Sequence, residues 1–361
     1  MNPIRMIIGA GGTGGHLFPG IAVARELMKR DPKNRVLFIN TGKAFEKTVL
    51  EKAGFDQAGI PAEGIKGRSI WNKIKSLFRI PSGIVQSMKL IKGFDPEIVM
   101  GMGSYSAGVV VFGAWLKGIK IVVHEQNRIP GVTNRILFHL ADRIYVSFSK
   151  TRDRIGKKNV LVTGNPVREL WIVEEGIQKK SNSAFTILVL GGSQGAHRIN
   201  TAMTEASSWI KEKSRIHVIH QTGHTDEAMV KTVYETNRIP GTVSAFFNDM
   251  GSCYARADLL ICRAGATTIA ELTALGKPAI LIPFPFATDD HQTANAQELV
   301  DARAGELIPE TRLNGKQLAE RIEFYLNHRH FLDEMGLRAK KFGKPDAAAA
   351  IVDDIYETLK R

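Results

Sequence analysis

The sequence predicts an α/β protein built from two doubly wound, parallel-sheet domains, and three observations carry that prediction. Short, fully apolar strand candidates alternate with helical stretches along the chain, the pattern of parallel sheets covered on both faces. A strand, a glycine-rich loop and a helix open the chain and recur near its middle. The length of 361 residues suits two domains, at roughly 100–200 residues each.

Met6-Ile7-Ile8 is the first strand, and it runs into Gly9-Ala10-Gly11-Gly12-Thr13-Gly14-Gly15. Ile21, Ala22, Leu27 and Met28 then recur near helical spacing. Further strand candidates are Val36 to Ile39, Ile98 to Met100, Ile121 to Val123 and Ile144 to Val146. Residues 164–184, with Gly164, Pro166 and the polar run Lys179 to Ser183, read as a linker between domains at 1–165 and 166–361. The second domain opens with Ile187-Leu188-Val189-Leu190, the loop Gly191-Gly192-Ser193-Gln194-Gly195, and a helix carrying Ile199, Met203 and Ala206. His217 to Ile219, Val243 to Phe246, Leu259 to Cys262 and Ala279 to Ile282 continue it, and the last helix is free to pack back on the first domain.

Charge separates the two halves. Residues 1–165 hold 26 Lys+Arg against 11 Asp+Glu, and the remainder hold 23 against 25. The whole excess of +13 therefore lies in the first half, which points to nucleic acid or an anionic membrane surface, or to a merely solvated basic face. Two cysteines, Cys253 and Cys262, give neither a disulfide framework nor a Cys-based zinc site. No apolar run reaches the ~18 residues of a membrane span. The N-terminus enters the glycine loop without a signal-peptide pattern, so a reducing cytoplasm is expected.

A strand, a glycine turn and a helix N-terminus make an anion site, because the first helical N–H groups lack partners and the dipole adds positive potential. Tight turns that need φ > 0 are the structural alternative. Gly9, Gly11 and Gly14 fit G-x-G-x-x-G, but Asn40-Thr41-Gly42-Lys43 offers no carboxylate for an NAD ribose, and an NADP reading would lean on Lys43. The second loop also fits the G-x-S-x-G nucleophile elbow, with Asp258 and His291 following Ser193 in hydrolase order; that reading leaves the first half without a role. Two later loops follow strands and belong where open sheets bind ligands. One packs Asp289, Asp290, His291 and Gln292 together. The other, Arg263 to Glu271, opens a helix, with Thr267 or Thr268 as N-caps on the plainer reading. Glu271 suits either the helix dipole or a ribose diol.

GGTGGH at Gly11 to His16, HEQN at His124 to Asn127, GNPVR at Gly164 to Arg168, GGSQGA at Gly191 to Ala196, CRAGATTIAE at Cys262 to Glu271 and DDHQTANA at Asp289 to Ala296 together resemble the MurG family of bacterial glycosyltransferases. The resemblance runs in order to about residue 300. It implies a GT-B fold, two Rossmann-like domains facing a cleft, and inverting β-1,4 transfer of GlcNAc from UDP-GlcNAc to the C4 hydroxyl of MurNAc in the undecaprenyl-linked acceptor lipid I, giving lipid II. Carried over motif by motif, Ser193 and Gln194 would touch the UDP phosphates, Glu271 the ribose, and Phe247 the uracil through its backbone. Ala266, Thr267, Thr268, Ile269 and Ala270 would wrap the nucleotide and Gln292 would read the GlcNAc hydroxyls. Arg168 would reach the donor phosphates, while Asn127 and Thr13-Gly14-Gly15 would close on the sugar. Gly103, Ser104 and Tyr105 would hold the acceptor pyrophosphate, with Ser104 standing where the family has a glycine. His16 is the first candidate for the base that takes the hydroxyl proton, and Glu125 the second. Their plainer roles are a helix-capping or phosphate contact and a structural ion pair. UDP-GlcNAc is a substrate; no cofactor and no metal are expected. The rival acceptor is another lipid such as diacylglycerol.

Ile70, Trp71, Ile74, Leu77 and Phe78 fall on one helical face beside Lys73, Lys75 and Arg79, the pattern of a helix lying in a membrane surface, or of one packed on the core. The basic first half favours the membrane. Aromatics do not interleave with basic strands as nucleic-acid stacking platforms do, so no nucleic-acid partner is expected. These features imply a peripheral protein at the cytoplasmic face of the membrane.

Overall fold

The computed structural model describes residues 3–60, 70–168, 184–192 and 195–360, the side chains of 70–80 excepted. The chain forms two compact units, Met1–Arg168 with Pro345–Arg361, and Glu169–Lys344. Each is a parallel sheet with helices between its strands, the α/β class the sequence predicts.

In the first unit β1 (Arg5–Gly9), α1 (Gly14–Arg30), β2 (Arg35–Asn40), α2 (Ala44–Ala53), β3 (Asp56–Gly59), α3 (Ile70–Phe94) and β4 (Ile98–Gly101) are followed by α4 (Ser104–Leu116), β5 (Lys120–Glu125), α5 (Val132–Leu137), β6 (Arg143–Val146), α6 (Ser149–Ile155) and β7 (Val160–Val162). The strand order is β3-β2-β1-β4-β5-β6-β7. Successive residues of β1 point to opposite faces, and both faces are buried. Met6 and Ile8 join Leu27 and Phe38 in one apolar cluster, and Ile7 joins Val99, Val111 and Ile121 in the other. Such strands read as unbroken apolar runs, which is why the sequence marks them.

The second unit runs β8 (Phe185–Leu190), α7 (His197–Trp209), β9 (Ile216–Gln221), α8 (Glu227–Thr236), β10 (Gly241–Ser244), α9 (Met250–Arg256), β11 (Leu259–Cys262), α10 (Ala266–Ala274), β12 (Ala279–Leu281), α11 (His291–Asp301), β13 (Glu306–Leu307), α12 (Gly315–Asn327) and α13 (Arg329–Phe342). Its strand order is β10-β9-β8-β11-β12-β13. In both sheets the strand that precedes a glycine loop lies where the winding reverses: β1 between β2 and β4, and β8 between β9 and β11. Open sheets bind ligands at that point, beyond the carboxyl ends of the strands.

The last helix, α14 (Ala347–Lys360), packs in the first unit. Ile351, Val352 and Ile355 complete the cluster around Met6 and Ile8. Tyr145 Oη donates to Asp354 at 2.9 Å, and Asn34 Nδ2 donates to Tyr356 Oη at 3.1 Å. Three short strands escape the sequence reading, β3, β7 and β13. All sit at or beside a sheet edge, where DQAG and EL need no apolar run. The strand read as Val243 to Phe246 is Gly241–Ser244, and Phe246 is exposed.

Candidate functional site

The first glycine loop is held open by packing on both sides. Gly12 has φ +87° and donates to Glu46 Oε1 at 2.6 Å. Glu46 is buried, and its carboxylate also accepts from Thr41 N, Thr41 Oγ1 and Lys43 N. So a carboxylate does stand beyond β2, but it is spent on the amides of its own loops, and the dinucleotide reading gains nothing from it. Thr13 stands at the N-cap of α1 without a side-chain cap bond, so the first amides of α1 are not spent on a capping side chain. A Cβ on Gly14 would lie 2.8 Å from Phe18 Cε2, so any side chain there would displace that ring. The Arg168 guanidinium lies 3.8 Å from the centre of that same Phe18 ring, a cation–π contact. Gly14, Phe18 and Arg168 therefore form one stack in the first unit.

His16 sits in the first turn of α1, half-buried, with Nδ1 3.2 Å from Gln126 Oε1. The loop after β4 closes on it. Gly103 has φ +89°, and a Cβ there would meet His16 Cε1 at 3.0 Å. Ser104 follows with φ +75°, and its Oγ lies 2.9 Å from Ser106 Oγ. A side chain in that left-handed region costs about 1–2 kcal/mol, a cost that glycine avoids. Ser104→Gly is expected to stabilise the protein by about 0.5–1 kcal/mol, the relief of strain less the entropy a glycine adds to the unfolded chain. Urea unfolding monitored by fluorescence checks this; an unchanged midpoint counts against strain at Ser104. Tyr105 packs its ring against the core cluster around Ile7.

Glu125 as proton acceptor is corrected by its surroundings. The side chain is buried, Oε1 accepts from Asn127 N at 2.9 Å and Asn127 Nδ2 at 3.4 Å, and Oε2 accepts from Gly131 N at 3.0 Å and Asn134 Nδ2 at 2.8 Å. Four amide donors saturate the carboxylate, so Glu125 organises the loop between β5 and α5, by hydrogen bonds rather than an ion pair. Asn127 is placed by that loop.

In the second unit the glycines permit approaches no side chain could. A Cβ on Gly191 would lie 2.2 Å from Ala196 N, and one on Gly195, φ +79°, would lie 1.9 Å from Thr222 O. Ser193 and Gln194 lie outside the described residues. Gln221, which the sequence reading missed, links two predicted regions: its Nε2 donates to Gly192 O at 3.1 Å and its Oε1 accepts from Phe247 N at 3.1 Å. The Phe247 N–H is thereby used, so a backbone contact to a base falls to its carbonyl. The signal was the position of Gln221, the last residue of an apolar strand next to a glycine-loop strand.

Gly265, not Thr267 or Thr268, is the N-cap of α10, and no side chain caps it. Thr267 Oγ1 is buried and, among the described residues, has no hydrogen-bond partner. Ala266 to Ala270 form the first turns of α10, with Ile269 in the core, and Glu271 is buried and accepts from Tyr254 Oη at 3.3 Å. Before α11, Asp289 and Asp290 both have positive φ, 54° and 50°. Gln292 Oε1 accepts from Phe284 N at 3.0 Å, which leaves the Nε2 donors as what this amide offers a hydroxyl. Arg263, present in the motif but given no role, pins this region. It donates to Ile282 O and Pro283 O at 3.2 Å each and pairs with Glu310 at 2.5 Å.

The hydrolase reading fails on distance. Asp258 precedes β11 and accepts from Thr186 N at 2.7 Å, at the start of β8. Gly191 and Gly192, which open the glycine loop, follow the far end of that strand, ~13 Å away at ~3.3 Å per residue.

Two buried histidines sit under these loops. His124 Nε2 lies 3.0 Å from Gly164 O, and His220 bridges Tyr234 Oη and Asn200 Oδ1. Burial pushes His124 down to about 4 and His220 down to about 3. The unfolded chain takes up those protons first as pH falls below ~6.5, so each histidine removes stability at up to about 1.4 kcal/mol per pH unit from there to its folded value. Urea midpoints are expected to fall steadily from pH 6.5 to pH 4; midpoints constant over that range contradict neutral burial.

A family model described as the glycosyltransferase family 28 N-terminal domain matches residues 6–146, and one described as the glycosyltransferase family 28 C-terminal domain matches 186–351. A protein of Syntrophus aciditrophicus (strain SB), named UDP-N-acetylglucosamine–N-acetylmuramyl-(pentapeptide) pyrophosphoryl-undecaprenol N-acetylglucosamine transferase, is 46% identical over 358 residues, 99% of this chain and 99% of its own. A Geotalea daltonii protein of the same name is 42% identical, covering 98% and 97%. The crystal structure of Acinetobacter baumannii MurG aligns with a TM-score of 0.80 at 29% identity, over 98% of this chain and 100% of that one. A Neisseria meningitidis UDP-GlcNAc 2-epimerase aligns with a TM-score of 0.70 at 12% identity and shares the fold alone.

Proposed function

We infer that this chain, which belongs to glycosyltransferase family 28 and within it to the MurG transferases, transfers N-acetylglucosamine from UDP-GlcNAc to the C4 hydroxyl of MurNAc in undecaprenyl-pyrophosphoryl-MurNAc-pentapeptide, making lipid II for peptidoglycan. One observation carries this: identity of 46% extends over 99% of both chains. The GT-B fold class rests on the same likeness and on the A. baumannii structure.

The site assignments are our proposal. The second unit holds the donor. Ser193 and Gln194 take the diphosphate, and the start of α10, Ala266 to Ala270, wraps the nucleotide, with Thr267 Oγ1 unpartnered among the described residues. Glu271 takes the ribose hydroxyls, Phe247 the uracil through its carbonyl, and Gln292 Nε2 the GlcNAc hydroxyls. In the first unit Gly103, Ser104 and Tyr105 receive the acceptor pyrophosphate, while Thr13, Gly14, Gly15, Asn127 and Arg168 attend the transferred sugar and its phosphates. The acceptor C4 oxygen attacks the anomeric carbon, the bond from that carbon to the β-phosphate oxygen breaks, and UDP leaves. His16 takes the hydroxyl proton. No cofactor or metal enters the scheme, because helix N-termini and an arginine suit the charge that grows on UDP.

The acceptor's polyprenyl chain belongs to a bilayer, and we place the first unit on the cytoplasmic membrane surface as a peripheral protein. No described helix is long and apolar enough to cross a membrane. Three neighbouring helices instead leave large apolar side chains exposed: Val85 of α3, Phe112, Trp115 and Leu116 of α4, and Val132 and Ile136 of α5. Lys89, Lys92 and Lys117 are exposed on the same helices or just beyond them, each worth ~1 kcal/mol near an anionic leaflet. The side chains of Ile70, Trp71, Ile74, Leu77 and Phe78 lie outside the described residues, although α3 spans them. Radiolabelled UDP-GlcNAc offered with lipid I or diacylglycerol is expected to label lipid I alone; label on diacylglycerol alone rejects the acceptor. In sedimentation with phosphatidylglycerol vesicles, Phe112→Glu with Trp115→Glu is expected to weaken binding at least about tenfold, and unaltered binding removes this surface from the membrane contact.

A further inference from the structure

We propose that Gln126 is a positioning residue that fixes the ring of His16 and its tautomer, so that Nε2 presents the lone pair to the acceptor hydroxyl. The inference deepens the assignment of His16 as base and rests on it. Gln126 follows β5 directly and is 2% exposed. Its Nε2 donates to Met102 O at 2.9 Å and more weakly to His124 O at 3.5 Å. Both partners are carbonyls, which only accept, so the NH₂ end of the amide is assigned and Oε1 is the atom that meets His16. That oxygen lies 3.2 Å from His16 Nδ1. A carboxamide oxygen cannot donate, so the hydrogen of the neutral imidazole sits on Nδ1 and the lone pair on Nε2.

The anchor is rigid at its other end. Met102 is fully buried and its N–H donates to Gly9 O at 2.9 Å, which ties the amide to the end of β1. Gly103 closes the remaining side: a Cβ there would stand 3.0 Å from His16 Cε1 and 3.1 Å from Nδ1. The imidazole is thus flanked by Gln126 and by Gly103, both in loops at the carboxyl ends of neighbouring strands. An amide serves this purpose without adding charge, so unlike a carboxylate it does not favour the imidazolium, which is useless as a base.

Nitrogen-15 NMR of the histidine-labelled full chain at pH 8 is expected to show His16 as the Nδ1–H tautomer; the Nε2–H tautomer overturns the proposal. Gln126→Met keeps the length and removes both polar ends. It is expected to lower kcat by about tenfold to a hundredfold, part of what a base contributes, while the KM for UDP-GlcNAc stays within about twofold. In the His16→Ala background the same substitution is expected to cost nothing further, because a residue that acts through His16 has nothing left to position. Equal losses in both backgrounds make Gln126 structural and overturn the proposal. If His16→Ala alone leaves kcat intact, the base assignment falls, while the tautomer still decides whether Gln126 sets the ring. Should Gln126→Met fail to fold, the wild-type tautomer alone is decisive.

Discussion

Alanine at position 16 is expected to lower kcat by a factor of about 10² to 10⁴, the usual contribution of a positioned base, with the KM for UDP-GlcNAc within about twofold of wild type. The split follows from where the residue sits. His16 belongs to the first unit, whereas the donor is assigned by our proposal to the second, and it sits in the first turn of a helix whose core residues, Leu17, Ile21 and Leu27, lie on another side. Removing a half-buried imidazole deletes its bond to Gln126 and its packing on Gly103, and neither supports the sheet. The other candidate, Glu125, cannot take over, since Asn127, Gly131 and Asn134 already occupy its oxygens. Steady-state kinetics with a short-chain soluble acceptor makes the measurement free of membrane effects. A kcat unchanged by His16→Ala would falsify the assignment.

Gly195→Ala is expected to remove measurable UDP-GlcNAc binding and to lower Tm by about 6–12 °C, which is ~3 kcal/mol at about 2–4 °C per kcal/mol. Two costs add. Alanine at φ +79° is strained by about 1–2 kcal/mol, and its Cβ would stand 1.9 Å from Thr222 O. That carbonyl cannot retreat. Thr222 N donates to Ser244 O at 3.0 Å, and its oxygen accepts from Asn200 Nδ2 at 2.9 Å. The glycine loop must therefore lift from the sheet, and the loop carries Ser193 and Gln194. Gly192→Ala is the control: φ is +89°, but among the described residues nothing lies within 4 Å of the added methyl, so strain acts without the clash and donor binding is expected to survive. Calorimetric titration of both variants with UDP-GlcNAc separates the two costs. Wild-type affinity in Gly195→Ala would show that this loop does not hold the diphosphate.

Much of this was legible before any coordinates. The strands of both sheet centres announced themselves because burial on two faces demands unbroken apolar runs, as in Ile187 to Leu190. The glycine loops were visible because left-handed backbone at Gly12, Gly103 and Gly195 admits few other residues. Edge strands such as β3 were not visible, since a half-exposed DQAG carries no such demand. Nor was the failure of the Ser193, Asp258 and His291 order, because chain order is blind to which end of a strand a residue occupies.

The amino-acid sequence by itself determined two parallel sheets, their glycine loops, the basic first half and the family. These are written in local spacing and composition, which a strand or turn senses within a few residues. Only the tertiary structure decided which polar groups remain available for chemistry. Glu125 and Glu46 are carboxylates that any reading of the motifs would single out, yet amides from neighbouring turns fill both, whereas His16 meets a carboxamide oxygen delivered by a residue more than a hundred positions away. Hydrogen-bond saturation depends on which distant donors the fold delivers, and no local pattern records that.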